Sequence, residues 1–377
     1  MGERKKIALT FHYSENWIAG SYYVVNIVKA LNSLDDREKP QLYILLSNKT
    51  GAHLLQEVGY PYIEFINTNC NDDGFWGKYL RRISLKFFGK DYPLRLMLSG
   101  VDHIFEGNDQ FGFIKNHYYW VHDFQECRLP EFFTAQEAAE RSALPKKISR
   151  ISNATLILSS YDALNDFGTF FPGYVCKVKI LRFASSLPDF SGVDFNELKK
   201  EFHIEYPFFI CSNQFWQHKN HRVVLEAIRI LKEKGLKFQV LFTGKNYDHR
   251  NPGYFTSLTD LVSEYQINDW VKFLGFIDRK VQLCIAKNAL SYIQPSLFEG
   301  WSTTVEDAKC LNQHVILSDI PVHREQLTYN VDFFNPQNPI DLADKMERLI
   351  SANTSVHPAN YGDNIKAFGK DIVAAFS

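Results

Sequence analysis

Short apolar runs and longer runs of helical period alternate along most of this chain. Lys6 to Phe11 is an apolar stretch of strand length. After Ala19-Gly20, apolar residues at Val24, Val25, Ile27, Val28 and Leu31 predict a helix. Gln41–Leu46, Tyr62–Ile66, His103–Phe105, Tyr118–Val121, Ala154–Ser159 and Val178–Phe183 read as further strands, and His53–Val58 as a helix. Ser160 suits the cap of a helix holding Ala163, Leu164 and Phe167.

A polar segment, Ser185 to Lys200, then interrupts the pattern, and the alternation restarts. Strands are expected at Phe208–Cys211, Phe238–Thr243, Val271–Leu274, Leu290–Gln294 and Val315–Leu317. Helices are expected at Arg222–Glu233, Phe255–Tyr265, Val281–Lys287, Thr303–Leu311 and Ile340–Ile350. Such alternation implies an α/β protein whose parallel sheets are covered on both faces. Two runs imply two doubly wound, Rossmann-like domains with ligands at the carboxyl ends of the strands. The expected division is residues 1–185 as one domain and 186–357 as the other.

Composition narrows the class. A chain of 377 residues exceeds what one ordinary core organises. Lys plus Arg is 42 against 43 for Asp plus Glu, so no basic excess points to nucleic acid. The six cysteines are scattered without a C-x-x-C pair, which argues for free thiols rather than a disulfide framework or a zinc site. No apolar run has membrane-spanning length, and no h-region follows the charged start. A cytoplasmic protein, with room for membrane association, is the expectation. Asn48, Asn153 and Asn353 lie in N-x-Ser/Thr triplets that carry no weight without a secretory signal.

Candidate chemistry gathers at the ends of the expected strands. Gln294-Pro-Ser-Leu-Phe-Glu299-Gly-Trp-Ser-Thr-Thr-Val-Glu306-Asp307-Ala308 runs strand, Gly300 turn, helix. A helix start presents unpaired amides and a positive dipole end, which suit a phosphate. Thr303-x-x-Glu306 also fits a capping box, which would make Glu306 structural. Ser212-Asn213-Gln214-Phe-Trp-Gln-His218-Lys219 follows the first strand of the second half, and Lys219 is either a phosphate cation or a solvated loop lysine. Trp120-Val-His122-Asp123 ends a strand of the first half, where a His-Asp pair is structural or catalytic with equal ease. Gly20 is the sole glycine of the first loop, and Gly244 and Gly275-Phe276-Ile277 end consecutive strands. Leu129 to Phe133 reads as an acceptor-side loop or helix with exposed aromatics.

The Glu299-Gly-Trp loop with an acid eight positions on resembles the signature of retaining family-4 glycosyltransferases, and Val315-Ile-Leu-Ser-Asp-Ile-Pro-Val-His-Arg-Glu325 resembles members that build surface polysaccharides. The resemblance implies a GT-B fold in which a final helix, within 358–377, returns to the first domain. It gives Glu299 to the donor sugar and Asp307 to the ribose, with Glu306 as the alternative. Gly300, Trp301, Ser302, Thr303 and Thr304 would line the phosphates; Asn213, Gln214 and Lys219 the diphosphate; Gly20 the phosphate or acceptor; Gly244, Phe276 and Ile277 the base. His122 would contact the donor sugar and Asp123 orient the acceptor hydroxyl. Lys219 would stabilise the departing nucleotide. The chain departs from the family where Gln214 replaces an arginine, and Arg182 or His218 is the expected substitute.

The implied reaction moves a hexose or deoxyhexose, with retention, from a GDP-, UDP- or dTDP-sugar to a glycan or glycolipid. GDP-mannose is the favoured donor, and no metal or other cofactor is expected. Peripheral membrane contact fits such an acceptor. A non-catalytic nucleotide-sugar-binding module is the alternative. A GT-B epimerase or phosphorylase is a weaker one, since no motif marks a pyridoxal lysine.

Overall fold

The computed structural model describes residues 3–13, 18–47, 50–69, 75–352 and 355–376. Two parallel sheets stand side by side. The first contains β1 (Lys6–Phe11), β2 (Gln41–Leu46), β3 (Ile63–Asn67), β4 (His103–Phe105), β5 (Asn116–Trp120), β6 (Thr155–Leu158) and β7 (Lys177–Ile180). Its strand order is β3-β2-β1-β4-β5-β6-β7. The second contains β8 (Phe208–Ser212), β9 (Gln239–Thr243), β10 (Val271–Gly275), β11 (Ser291–Gln294), β12 (Val315–Ser318) and β13 (Val331–Phe334), in the order β10-β9-β8-β11-β12-β13. Strand order reverses between β1 and β4 in one sheet and between β8 and β11 in the other. Those reversals open crevices at the carboxyl ends of the strands, where such sheets take ligands.

The apolar pattern sets these elements. Ile7, Ala8 and Leu9 of β1 and Phe209, Ile210 and Cys211 of β8 are wholly buried, as central strands covered on both faces must be. The helix His221–Glu233 buries Val223, Val224, Ala227, Ile228 and Leu231 on one stripe against the second sheet. Ser160 accepts the amide of Ala163 and caps the helix Tyr161–Phe170 as expected. The expected strands and helices all form, with bounds that agree to within a few residues. Four helices of the first half, Phe75–Phe88, Tyr92–Met97, Gln125–Arg128 and Ala135–Ile148, have no counterpart in the sequence expectation, nor do Phe195–Glu201, Pro321–Gln326 and β13 of the second. Ala135–Ile148 is polar almost all round, so periodicity was silent there; its signal is the capping box of Thr134 and Glu137.

The domains are joined at two crossings. The chain passes over once after β7, and Phe195–Glu201, inside the polar segment, is a helix that buries Leu198 in the second domain's core. After residue 355 it returns, and the helix Gly362–Ala375 packs Phe368, Ile372 and Phe376 into the first domain's core. Gly369 sits over the Ala30 carbonyl of the helix Ile18–Asn32, where any Cβ would overlap it. No helix among the described residues is long and apolar enough to cross a membrane. The cysteines described, Cys127, Cys176, Cys211, Cys284 and Cys310, are unpaired.

Candidate active site

The loops after β8 and β11 meet at the reversal point of the second sheet. Asn213, just past β8, donates to Gln294 Oε1 at 2.9 Å. Gln294 ends β11 and donates to Glu299 Oε1 at 2.8 Å. Ser296 Oγ reaches the same oxygen at 2.7 Å, and Lys219 Nζ at 2.6 Å. Three donors thus converge on Glu299 Oε1. Lys219 is held in place by Asn220, whose left-handed backbone (φ 56°) lets its amide bond the carbonyls of Pro295 and Pro336. Burial opposes the charge on Glu299, but Lys219 and its hydrogen bonds outweigh it, and the carboxyl titrates below its ordinary range. Glu299 is therefore a fixed carboxylate at neutral pH. Beside it His323, wholly buried and bonded through Nδ1 to Ser318, is pushed down to about 4 by burial and stays neutral.

Gly300 carries this loop against the other domain. A Cβ there would overlap the carbonyl oxygen of His122, so glycine alone permits the approach. Trp301 goes further across: its indole donates to the Phe183 carbonyl at 3.2 Å and packs on the first domain's core. His122 lies edge-on to Trp120 with ring centres 3.9 Å apart, and burial lowers it to about 4. Asp123 accepts from Arg141 at 2.5 Å, and Arg141 also holds Glu126 at 2.8 Å. Phe133, expected to be exposed, is half-buried: Arg250 of the second domain lies over its ring at 4.7 Å and over Trp216 at 5.4 Å. Pro130–Phe132 forms a single helical turn.

The helix Thr303–Cys310 begins one residue earlier than a capping box at Thr303 requires. Ser302 is the cap, accepting the Val305 amide, so Glu306 falls a position too late to close the box. That expectation is corrected. Glu306 is instead buried among Lys309 at 2.8 Å, Gln326 at 2.9 Å and the Tyr361 hydroxyl. Tyr361 Oη also accepts the Ser185 amide at 2.9 Å, so this carboxylate ties the two crossings to the donor-side helix. Asp307 turns the other way and pairs with Arg279 at 2.6 Å. The Ser302 amide is held by Gln326 at 3.0 Å, and Thr304 Oγ1 donates to the Ser212 carbonyl at 2.9 Å. The amides of Thr303 and Thr304 open the helix, where no carbonyl lies four residues back within it.

Of the two expected substitutes for the missing arginine, Arg182 is ion-paired and His218 is buried. Arg182 is bound by Glu325 through Nε at 2.9 Å and Nη2 at 2.5 Å. His218 is buried, which holds its titration well below the usual range and leaves it uncharged. Gly244 fits under the Asn213 carbonyl, where a Cβ would overlap it, and this fixes the Asn213–Gln214 backbone. Gln214, Phe276 and Ile277 end on the same side as Gly244, with Lys245 Nζ 5.7 Å from the exposed Phe276 ring. Gly20 is buried within the helix Ile18–Asn32, while Asn16 and Trp17 of that loop lie outside the described residues, as do Cys70, Asn48 and Asn353. No three His, Cys, Asp or Glu side chains gather as metal ligands among the described residues.

Sequence reasoning missed four contributors. Gln294 and Ser296 sat in view, and their signal was two polar residues at the end of a wholly buried strand. Arg279 lies 28 residues from its partner and gave none. Glu106, at the carboxyl end of β4, takes a left-handed backbone (φ 60°) and accepts the Trp120 amide at 3.0 Å. Burial raises that carboxyl to about 7.

Two parallel-sheet domains, with reversal points turned to a common cleft, make up the GT-B fold. Residues 194–368, the second domain and most of the returning segment, match the family described as Glycosyl transferases group 1. It is 22% identical over 315 residues to the O-antigen chain mannosyltransferase RfbU of Salmonella typhimurium, covering 82% of each chain. The structure of Alr3699/HepE from Anabaena, in complex with UDP and glucose, superposes with a TM-score of 0.64 at 15% identity, over 98% of this chain and 97% of that one. Sucrose-phosphate synthase from Thermosynechococcus elongatus gives 0.63 at 14%, over 99% and 95%. These structural likenesses carry the fold alone.

Proposed function

We propose that the protein transfers a hexosyl or deoxyhexosyl group, with retained anomeric configuration, from a nucleotide sugar to a hydroxyl of a glycan or glycolipid in polysaccharide synthesis. The observation that carries this is the buried Glu299 carboxylate, fixed by Lys219, Gln294 and Ser296 and brought by Gly300 against His122. A carboxylate with three donors on one oxygen keeps the other edge for donor-sugar hydroxyls. Lys219, beside it, offsets the charge that grows on a departing nucleoside diphosphate. The opening amides of Thr303 and Thr304 add the positive end of a helix dipole. Asp307, oriented by Arg279, takes the ribose. Glu306 does not, because its oxygens are committed to Tyr361, Lys309 and Gln326. His122, neutral, accepts a hydroxyl hydrogen bond from the sugar, and Asp123 steers the acceptor. GDP-mannose is the favoured donor, on the likeness to an O-antigen chain mannosyltransferase. In this reading Lys219 and the helix-end amides take the place of a metal ion.

The test is nucleotide release from a panel of UDP-, GDP- and dTDP-sugars, with and without acceptor. GDP-mannose should be turned over fastest, and Glu299→Gln should abolish the release. A second reading, nucleotide-sugar binding without transfer, is favoured by one observation: the Lys219 charge is already matched by Glu299, and Gln214 brings no second cation. Tight nucleotide binding with no turnover of any donor, and no change in Glu299→Gln, would establish that reading instead.

A further inference from the structure

A helix of the first domain is capped by a carboxylate of the second. The helix Tyr161–Phe170 opens with three amides that have no partner within it. Ser160 Oγ takes the Ala163 amide. The other two go to Glu325, which stands on the second-domain helix Pro321–Gln326. Both of its oxygens accept the Tyr161 amide at 3.0 Å, and Oε2 accepts the Asp162 amide at 3.2 Å. Oε1 also takes Arg182 through Nε at 2.9 Å and Nη2 at 2.5 Å. A negative charge suits the positive end of a helix, and an arginine fork suits a carboxylate. Arg182 looks from sequence like a cation for the diphosphate, and here it serves this contact instead.

Arg182 lies in the first crossing between the domains, and its neighbours there are tied to the same side. The Phe183 carbonyl accepts the Trp301 indole at 3.2 Å, and the Arg182 guanidinium lies 5.8 Å from that ring. The Ser185 amide donates to Tyr361 Oη, whose own proton goes to Glu306. The helix that carries Glu325 also braces the donor loop. Gln326 accepts the Ser302 amide at 3.0 Å and donates to the Ser302 carbonyl at 2.8 Å. His323 bonds Ser318, and Ser318 Oγ donates to the Ser296 carbonyl at 2.6 Å, beside Glu299. One short helix therefore holds the Glu299 loop from below and reaches across to the first domain with Glu325.

Domains joined by small polar contacts move relative to one another unless something holds them. Transfer between a donor on one domain and an acceptor on the other needs the reacting atoms aligned closely, and small displacements are costly. We infer that Glu325 is a positioning residue for the transfer: through Arg182 and the amides of Tyr161 and Asp162 it sets the first domain's ligand edge against the Glu299 loop. It acts through that loop and not on the sugar. The inference rests on the transfer reading above.

The test is Glu325→Gln in the full chain, assayed with whichever nucleotide sugar the wild type turns over fastest. The variant should lose about tenfold in kcat, while GDP and UDP, titrated directly, should bind within about threefold of the wild type. Arg182→Gln should lose less, because Glu325 keeps the two amides, and the double variant should fall no further than Glu325→Gln alone. Ser160→Ala opens the third cap of the same helix inside the first domain. It should lower the melting temperature and leave kcat within about twofold. Equal kcat losses in Ser160→Ala and Glu325→Gln would make the contact a helix cap and nothing more. Nucleotide affinity falling as far as kcat would place the effect in the donor loop. Either result, or an unchanged kcat in Glu325→Gln, overturns the inference. A wild type that turns over no donor fails the transfer reading instead. Domain alignment is then read from solution X-ray scattering, where Glu325→Gln should broaden the pair-distance distribution and Ser160→Ala should not. Identical curves for both variants and the wild type would overturn it.

Discussion

The second domain supplies its side of the cleft from two loops on neighbouring strands, and every polar atom that matters there is tied to another: Asn213 to Gln294, Gln294 to Glu299, Glu299 to Lys219. The first domain supplies scattered groups set among rings: His122 against Trp120, Tyr23 stacked on Trp120 at 3.7 Å, Glu106 under the Trp120 amide. One side is a hydrogen-bonded chain of charge and amide; the other is an aromatic wall that carries His122 and Glu106. The difference suits the partners proposed for each. A nucleotide diphosphate has fixed charge that preorganised donors and cations stabilise. A glycan acceptor offers ring faces and neutral hydroxyls, which stack on aromatics and need few charges.

The largest expected effect comes from cutting the chain in the second domain. Glu299→Gln keeps the shape but leaves Lys219 without its partner and the donor sugar without its carboxylate. Turnover should fall by about a hundredfold or more, the size of losing one preorganised electrostatic contact. A loss below fivefold would remove Glu299 from the site. Next comes the seam between the sides. Gly300→Ala pushes a methyl into the His122 carbonyl and must part the loops. Turnover should drop about tenfold or more, because small misplacements of reacting groups are costly. Nucleotide affinity, which rests on the second domain alone, should change by less than about threefold. Equal losses in both would show that the seam serves folding and not alignment.

The two sides should also respond oppositely to pH. His221, stacked on Phe215 with centres 4.5 Å apart, is lowered by burial to about 3. Between the ordinary histidine value and 3 the unfolded chain binds a proton that the folded one refuses, so stability is full above pH 6.5 and is lost as pH falls. Glu106 is raised to about 7. Between the ordinary glutamate value and 7 the folded chain holds the extra proton, so its contribution is present in acid and is lost as pH rises. His221→Phe should therefore gain about 2 kcal/mol over the wild type at pH 5 relative to its difference at pH 7. Glu106→Gln should instead flatten the decline between about pH 4.5 and 7. Urea melts across pH check both, and parallel shifts in the two variants would refute the contrast.

How much of this was legible follows the same division. The site in the second domain lies largely in one contiguous stretch, Gln294 to Gln326, so its acids and Gly300 were in view together, and the family resemblance singled out Glu299 and Asp307. Its long-range partners were invisible: no local pattern joins Glu306 to Tyr361, or Asp307 to Arg279, because tertiary packing chooses those pairs. In the first domain the strand positions followed from apolar runs. The helix Phe75–Phe88 did not, since its outward apolar face breaks the rule that the stripe marks the core. His122 was reached through its place at a strand end, whereas Glu106 shares that position on β4 and drew no notice for want of a motif around it.

The smallest effect separates pattern from geometry most cleanly. Thr134-x-x-Glu137 and Thr303-x-x-Glu306 carry the same four-residue spacing, one in each domain. Only the first is a capping box, with Thr134 Oγ1 accepting the Glu137 amide at 3.2 Å and Glu137 Oε2 accepting the Thr134 amide at 2.9 Å. In the second, Ser302 has taken the cap, which leaves Thr303 exposed at the first helical position. Thr134→Ala and Ser302→Ala should each cost about 1 kcal/mol, while Thr303→Ala should cost a few tenths at most. Denaturant titrations of the three variants decide it. A loss at Thr303 matching that at Ser302 would mean that the helix starts a residue later in solution. Glu306 would then be drawn back toward a box and away from Tyr361, loosening the tie between the second domain and the returning C-terminal helix.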